Sequence, residues 1–406
     1  MLKIKLHWQI LIALLLAVIL GLFFTDYVKY IAWMGDLFLR ALKMIIVPLI
    51  LTSIISGVAN IGGASNLGKL GLKTLTYYLI TSLLAILVGL TIVNLIQPGV
   101  GADLGFQKNV SEISSSGDLG NILLRLIPTN IFDALAKADM LAVIFFSILI
   151  GYFINKIAEE YKKLLINFVN AGFEVMMKIT SFVIKFAPLG ILGIVAVVVA
   201  EQASDKAALM EIVQRLGLYM ASVLLGLIFH AFITLPLILR IYGKVNPWHH
   251  FRAMTTPLIT AFSTSSSSAT LPLTLEAVEN DVGVSNKITS FVLPLGATIN
   301  MDGTALYEFV AAIFIAQAYG IHLGFEQQFV VVFTALLASI GAAGIPMAGL
   351  VMITVVLSSV GLPLEGVGLI LAVDRILDMC RTTVNVWSDS CGAAVIAKSE
   401  GETLKV

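Results

Sequence analysis

The last hydrophobic segment of this 406-residue chain carries an unusual set of polar side chains. In chain order they are Asp374, Asp378, Arg381, Thr382, Asn385 and Asp389. If the segment is one α-helix, at about 100° per residue, all six fall within a stripe roughly 100° wide. Three carboxylates, one guanidinium and two neutral polar groups on one helix face are suited to binding an ionic solute together with cations.

The charges of this stripe also indicate a class of solute. Arg381 offers a planar fork that fits a carboxylate, and Asp378, one turn away, can hold an ammonium group. Helix N-termini and free amides nearby can take a second carboxylate. Two carboxylates and one ammonium describe aspartate or glutamate. The alternative is a purely structural network in which Arg381 pairs with the aspartates.

A second polar group precedes another apolar helix. Asn300, Asp302 and Thr304 are spaced by two, so a regular helix cannot point all three in one direction. Gly303 makes local unwinding plausible, which would free backbone carbonyls as ligands. Oxygen ligands of these types suit a hard cation. The sequence shows no His/Cys set with zinc spacing, and His230, alone in an apolar span, is interpreted as a core residue rather than a ligand.

The elements that position these residues lie in a membrane. Hydrophobic residues make up 58% of the chain and charged residues 12%, whereas a soluble domain carries roughly 25% charged residues. Several uncharged runs reach the roughly 20 residues that a helix needs to cross a bilayer. The formal net charge of zero argues against a nucleic-acid partner.

The distribution of lysines predicts the orientation. Lys3 and Lys5 precede the first span, and Lys69 and Lys73 lie between the second and the third. Residues 101–121 instead carry mainly acidic charge. The positive-inside rule therefore places the N-terminus in the cytoplasm and this acidic segment outside.

Two apolar segments are interrupted near their middles. Residues 327–364 contain no charge and as one helix would span about 57 Å, nearly twice the membrane, but residues 341–349 are dense in glycine and proline. This pattern favours a helical hairpin that enters and leaves on one side, with two conventional spans as the alternative. Residues 253–275 carry a serine-rich interruption at 263–270. Paired broken segments are typical of a transporter's binding site.

At these residues the chain resembles the glutamate/aspartate transporter family, which comprises dicarboxylate and amino-acid:cation symporters. The motifs that carry the resemblance are Thr264–Pro272, Gly296–Tyr307, Gly341–Gly349 and Leu377–Asp389. The resemblance implies an all-α polytopic membrane protein with eight transmembrane helices, two re-entrant hairpins near 253–280 and 327–364, and inverted repeats.

The resemblance also implies a domain organisation. A static scaffold that forms a homotrimer comprises residues 1–65 and 116–205. A transport domain, residues 66–115 and 206–406, moves across the membrane like an elevator. The implied partners are an acidic amino acid, co-transported sodium ions and membrane lipid, and the implied location is the plasma membrane of a bacterial or archaeal cell.

By motif position, the resemblance assigns binding residues. The substrate would contact Ser265, Ser267, Thr304, Ile345, Gly349, Asp378, Arg381, Thr382 and Asn385. A first sodium site would use Gly296, Asn300, Asn385 and Asp389. A second would use Thr298, Ser339 and Ile340. A third would use Tyr78, Thr81, Ser82, Asn300 and Asp302.

The chain departs from the family at a few positions. Members commonly carry an additional arginine at the position of Ser265 or of Met379, and its absence here leaves potassium counter-transport without support. Glu308 stands where animal members have a glutamate linked to proton carriage. A buried glutamate can take up a proton, so proton co-transport is a hypothesis.

Rival functions remain open at this stage. A C4-dicarboxylate symporter would have no need of Asp378, and a neutral amino acid would leave Arg381 unpaired. An intramembrane protease is disfavoured because the aspartates share their stripe with an arginine and no His–Ser pairing is evident. A channel is the remaining alternative, since members of the family can conduct anions.

Overall fold

The computed structural model describes residues 6–61, 68–101, 124, 126–203, 206–341 and 348–406. In this part of the chain every regular element is a helix. The α-helices are α1 (Leu6–Phe23), α2 (Thr25–Val28), α3 (Ala32–Ile61), α4 (Gly68–Ile96), α5 (Ile131–Ala136), α6 (Met140–Ile154), α7 (Glu159–Ile184), α8 (Ala187–Glu201), α9 (Lys206–Phe229), α10 (Leu235–Ile241), α11 (Pro247–Ala253), α12 (Thr255–Thr264), α13 (Ser267–Ala277), α14 (Asn286–Ile299), α15 (Asp302–Ala318), α16 (Phe325–Gly341), α17 (Ala348–Ser359) and α18 (Val367–Ser399). Two short π-helical segments, His230–Thr234 and Val278–Val282, interrupt this series.

Several helices have the length and apolar character of membrane spans. Within the described residues, four runs meet both conditions: Ala32–Asn60, Lys69–Ile96, Met210–Ile241 and Asn286–Ala318. The bent pair α7–α8, with an angle of 49°, is a fifth candidate. Large apolar side chains of α7 point outward, with Phe168 73% and Phe182 59% exposed, which suits contact with lipid. The all-helical membrane fold is confirmed, whereas the eight spans and the inverted repeats stay predictions.

The first interrupted segment forms a helical hairpin. Its helices α12 and α13 contain 10 and 11 residues, about 15–17 Å each, so neither crosses a ~30 Å hydrocarbon core. Ser265, with φ of 52°, adopts the left-handed conformation that ends α12. Ser266 then caps α13 by accepting a hydrogen bond from the Ala269 amide at 3.1 Å.

The second interrupted segment is also a helix pair. Helices α16 and α17 pack against each other, and the predicted tip, residues 342–347, lies outside the described residues. Helix α17 has 12 residues, about 18 Å, which is too short for a conventional span. The hairpin interpretation is therefore favoured over two separate spans.

The predicted unwinding near Gly303 occurs just before that glycine. Helix α14 ends at Ile299, Asn300 is extended with φ of −88° and ψ of 92°, and α15 begins at Asp302. Pro294, inside α14, removes one backbone donor in the preceding turn. The break leaves the polar residues at the junction free to point in different directions.

Helix α18 is the element around which the polar residues gather. It runs for 33 residues, about 50 Å, and contacts α4, α9 and the two hairpins as well as α14 and α15. Helices α1, α3, α6, α7 and α8 pack mainly with one another, although α3 and α6 also contact the second hairpin and α1 and α8 also contact α18. The polar stripe of α18 thus faces the broken helices.

Candidate functional site

The predicted stripe on α18 is a buried polar surface. All six of its predicted members, Asp374, Asp378, Arg381, Thr382, Asn385 and Asp389, are 5% exposed or less. A charged side chain at membrane depth costs at least about 2.5–3.5 kcal/mol unless it finds partners. The neighbouring elements supply those partners.

Arg381 is the largest fully buried side chain in the described part of the chain and lies between two carboxylates. Its Nε and Nη2 donate to Asp378 Oδ1 at 3.0 and 2.9 Å, and its Nη1 lies 3.2 Å from Asp374 Oδ1. The Nη1 group makes no hydrogen bond within the described residues. The guanidinium carbon is 4.1 Å from the centre of the Tyr307 ring, a cation–π contact. The guanidinium is thus held by two carboxylates and an aromatic ring, and its Nη1 is joined to Asp374 by an ion pair without a hydrogen bond.

The second hairpin covers this guanidinium. A Cβ atom added to Gly349 would lie 2.8 Å from both Cζ and Nη1 of Arg381, so only glycine permits such close packing. Of the two substrate residues predicted in this hairpin, Ile345 lies outside the described residues. Gly349 packs directly against the guanidinium group of Arg381.

Asn385 connects α18 to the break between α14 and α15. Its Oδ1 accepts from the Gly303 amide at 2.7 Å, and its Nδ2 donates to Thr304 Oγ1 at 3.1 Å. A Cβ on Gly303 would lie 2.5 Å from the Arg381 carbonyl oxygen, so the glycine allows the two helices to approach. The predicted substrate residues Thr304 and Asn385 are therefore brought together.

The serines of the first hairpin lie at its tip beside α18. Ser265 and Ser267 are 1% and 2% exposed, and the Ser265 hydroxyl has no hydrogen-bond partner within the described residues. Both helices of this hairpin contact α18. An unpaired buried hydroxyl costs about 1–3 kcal/mol. A ligand that formed a hydrogen bond with the Ser265 hydroxyl would remove this cost.

Asp302 lies at the centre of a cluster of hydroxyl groups. Its Oδ1 accepts from Ser82 at 2.6 Å and from Thr81 at 3.2 Å, and its Oδ2 accepts from Ser388 at 2.6 Å. His230 Nε2 is 3.1 Å from the same Oδ2. Three of the five residues predicted for the third sodium site are thus in direct contact.

The other two members of that predicted set lie close by. Asn300 Oδ1 is 3.5 Å from the Thr81 hydroxyl. Tyr78 donates its hydroxyl to the Val292 carbonyl at 2.7 Å instead of joining the cluster directly. Side-chain and carbonyl oxygens of these kinds form the donor set that a hard cation prefers.

A second carboxylate cluster surrounds Asp389. Its Oδ1 accepts from Asn300 Nδ2 at 2.8 Å. A Cβ added to Gly296 would lie 2.5 Å from this Oδ1 and 2.7 Å from the Tyr78 hydroxyl oxygen. The structure therefore places Gly296, Asn300 and Asp389 of the first predicted sodium site together, whereas the amide of Asn385 is turned toward Thr304.

The residues of the second predicted sodium site are not joined in this structure. The Thr298 hydroxyl donates to the Leu295 carbonyl at 3.0 Å, and the Ser339 hydroxyl donates to the Leu336 carbonyl at 2.9 Å. Both bonds stay within each residue's own helix, and Ile340 is half-buried next to Ser339. Helices α14 and α16 nevertheless contact each other, so a small displacement of the second hairpin would alter this site.

Glu308 lies one turn along α15 from Thr304. Its side chain is fully buried, and neither carboxyl oxygen has a hydrogen-bond partner within the described residues. An ionised carboxylate without a partner is far more costly to bury than a neutral acid. The geometry therefore fits a protonated glutamate.

The sequence analysis did not assign Ser388 or His230 to the site. Ser388 bridges Asn300 and Asp302, and its place at roughly −40° from Asp374 on the helix borders the predicted stripe. His230 is a buried core residue as predicted, but it also contacts a charged group of the site. An isolated histidine in an apolar span gives no sequence signal for such a contact.

The sequence comparisons agree with this geometry. The profile of the sodium:dicarboxylate symporter family matches residues 6–399. The chain belongs to the sodium:dicarboxylate symporter family. It is therefore a multi-pass membrane transporter and not an enzyme, which confirms the predicted family and class.

Several characterised proteins are similar to this family member along most of its length. The proton/sodium-glutamate symport protein of Geobacillus stearothermophilus is 38% identical over 98% of this chain and 96% of its own length. The proton/glutamate-aspartate symporter of Escherichia coli is 36% identical over 98% of this chain and 93% of its own length. Human excitatory amino acid transporter 3 is 38% identical over 93% of this chain and 80% of its own length.

Proposed function

We propose that this symporter carries L-aspartate or L-glutamate across the membrane together with sodium ions. The observation that carries the proposal is the buried Arg381 guanidinium, whose Nη1 forms an ion pair with Asp374 at 3.2 Å but no hydrogen bond within the described residues. A better-placed carboxylate would give this donor a charge-assisted hydrogen bond. The names of the similar proteins, which are glutamate and aspartate symporters, support the same substrate class.

The geometry suggests roles for four of the predicted substrate residues: Arg381, Asp378, Asn385 and Gly349. The side-chain carboxylate of the substrate binds Arg381, and its ammonium group binds Asp378, the aspartate that now accepts two hydrogen bonds from that arginine. The α-carboxylate accepts from Asn385 and from the amides at the tip of the first hairpin. Gly349 now fills the space beside the guanidinium, so binding requires the second hairpin to move outward.

The two buried carboxylate clusters are the proposed cation sites. Around Asp302 the hydroxyls of Thr81 and Ser82 can rotate their lone pairs toward an ion, as can the carbonyl oxygen of Asn300. Around Asp389 the ion also meets the backbone at Gly296. A monovalent cation in each cluster would compensate the charge of a buried carboxylate whose neighbours are neutral hydroxyl and amide groups. The site at Thr298, Ser339 and Ile340 stays a prediction.

Uptake into proteoliposomes tests the proposal. Labelled L-aspartate and L-glutamate are offered with an inward sodium gradient, and with potassium or choline in its place. Concentrative uptake only with sodium supports the proposal. Uptake that follows a proton gradient alone would contradict the sodium sites but leave the substrate assignment intact.

A C4-dicarboxylate is the second candidate substrate, because the family's own description refers to dicarboxylates. Asp378 separates the two candidates, since it has an ammonium group to bind only in the amino acid. We expect Asp378→Asn to lower aspartate uptake at least about tenfold without lowering succinate competition. An equal effect on both compounds would favour the dicarboxylate.

Glu308 is the proposed proton carrier of this symporter. Because the carboxyl group is buried without partners, we expect Glu308→Gln to preserve sodium-dependent exchange of aspartate. We also expect it to abolish the dependence of net uptake on external pH. The measurement is uptake between pH 5.5 and 8 in matched liposomes. Glu201→Gln, at the end of α8, is the control, and a variant E308Q with an unchanged pH profile would contradict the assignment.

We propose a trimeric elevator arrangement for the whole molecule. Helices α1, α3, α6, α7 and α8 pack mainly among themselves, and α4 and α9 pack with the elements around α18, a division that accords with the expected scaffold and transport segments. Native mass spectrometry of the purified protein tests the trimer. Crosslinks between α3 and α16 that change with sodium and aspartate test the movement.

A further inference from the structure

His230 occupies an unusual place for a histidine. It begins the π-helical segment that follows α9, and its side chain is fully buried. Its Nε2 lies 3.1 Å from Asp302 Oδ2, and its Nδ1 has no hydrogen-bond partner within the described residues. With the Asp302 carboxylate as the acceptor, the tautomer that forms this hydrogen bond carries its hydrogen atom on Nε2 and leaves Nδ1 as an acceptor.

The backbone around His230 is anchored to α18. The Ala231 carbonyl accepts a hydrogen bond from Trp387 Nε1 at 3.0 Å. The next residue of α18, Ser388, donates to the same Asp302 oxygen that His230 contacts. The ring and the serine therefore hold Oδ2 from two helices that are fixed to each other.

The two oxygens of Asp302 are consequently not equivalent. Among the described residues, Oδ1 accepts from Thr81 and Ser82, whose hydroxyls can turn to present a lone pair to an ion. The His230 N–H has no such freedom, because a ring nitrogen that donates cannot become an ion ligand without losing its hydrogen. Oδ2 thus stays held whether or not an ion is present.

We infer that His230 is a positioning residue for sodium. Its N–H fixes the Asp302 carboxylate so that Oδ1 points into the ion site formed by the neighbouring hydroxyls of Thr81 and Ser82. The inference rests on the proposed sodium-coupled function. The same contact also links the two carboxylate clusters, because Ser388 accepts from Asn300 at 3.0 Å, and Asn300 in turn donates to Asp389. His230 is the last member of this hydrogen-bonded chain.

Replacement of His230 is expected to lower the affinity for sodium and to leave the affinity for aspartate nearly unchanged. Loss of a group that orients a metal ligand typically lowers metal affinity 10- to 100-fold. We expect His230→Leu to raise the sodium concentration for half-maximal aspartate uptake roughly tenfold, with the aspartate KM at saturating sodium within about twofold of wild type. His230→Gln, whose amide can reach Asp302, is expected to restore the sodium midpoint to within about threefold. The side chain of asparagine is one methylene shorter, so His230→Asn is not expected to restore the sodium midpoint.

His250 provides a matched control. It is also fully buried, and its Nε2 lies 3.1 Å from a side-chain oxygen, the hydroxyl of Ser390. That hydroxyl donates to the Trp387 carbonyl, and within the part of the chain that the structure describes no hydrogen bond joins it to the Asp302 cluster. We expect His250→Leu to alter expression or melting temperature without moving the sodium midpoint.

The deciding measurements are the sodium dependence of aspartate uptake in proteoliposomes and, without aspartate, the rise in melting temperature with sodium in choline medium. An unchanged sodium midpoint in H230L, or equal midpoints in H230Q and H230N, would overturn the inference while leaving the proposed function intact. If H230L does not fold, the H230Q and H230N pair decides the question. A wild-type protein without sodium-dependent uptake would overturn the proposed function and this inference with it.

Discussion

Replacement of Arg381 by glutamine is expected to abolish high-affinity uptake of acidic amino acids. The guanidinium is 1% exposed and pairs with both Asp378 and Asp374. Without it, the substrate carboxylate loses its guanidinium partner and meets the carboxylates of Asp374 and Asp378, of which Asp378 keeps an ion pair with Arg375 at 3.5 Å. Loss of one partner of a buried charge pair costs about 2–5 kcal/mol, equivalent to roughly 30- to 5,000-fold in affinity. The measurement is the concentration of aspartate that gives half-maximal sodium-dependent uptake.

The folded state of this variant is checked separately, because unpaired buried carboxylates also destabilise a protein. Sodium-dependent thermal stabilisation reports folding independently of the substrate site. The double variant Arg381→Gln, Asp374→Asn removes the charge of Asp374, which loses its guanidinium partner in the single variant, and is expected to recover expression but not uptake. Arg240→Gln, at the exposed end of α10, is the matched control. Aspartate uptake by R381Q within about threefold of wild type would refute the proposed substrate site.

The second large effect, a loss of sodium affinity, is expected when a single methyl group is added to Gly296. In Gly296→Ala the new Cβ would lie 2.5 Å from Asp389 Oδ1 and 2.7 Å from the Tyr78 hydroxyl oxygen. Neither side chain can retreat, because Tyr78 is bonded to the Val292 carbonyl and Asp389 to Asn300. Overpacking a site of this kind costs typically 1–3 kcal/mol. We expect the sodium concentration for half-maximal uptake to rise at least about tenfold.

Gly71→Ala is the control for this substitution. Gly71 also lies in a helix, α4, but the nearest atom to its added Cβ is Phe291 Cζ at 3.6 Å, an ordinary van der Waals contact. Alanine also favours a helix over glycine by about 1 kcal/mol. G71A is therefore expected to transport like wild type. A variant G296A with the wild-type sodium midpoint would show that Gly296 does not border a cation site.

The α18 stripe and the break at Asn300 could be predicted from sequence because both depend on local geometry. Helical periodicity alone places Asp374 through Asp389 on one face, and the spacing of Asn300, Asp302 and Thr304 is incompatible with an unbroken helix. The excess of apolar residues similarly predicted the membrane environment. These features follow from short stretches of sequence whose conformation has few alternatives.

The partners of each charge were decided only by the tertiary structure. The spacing of the sequence could not show that Asp302 would meet Ser82, Ser388 and His230, since these residues lie 220, 86 and 72 positions from Asp302 along the chain. The predicted set at Thr298, Ser339 and Ile340 likewise depends on where the second hairpin lies. The sequence therefore determined which groups are charged and which face of a helix they share. Packing between distant helices decided which of those charges meet, because the energy of a buried charge depends on neighbours that the chain brings together only when it folds.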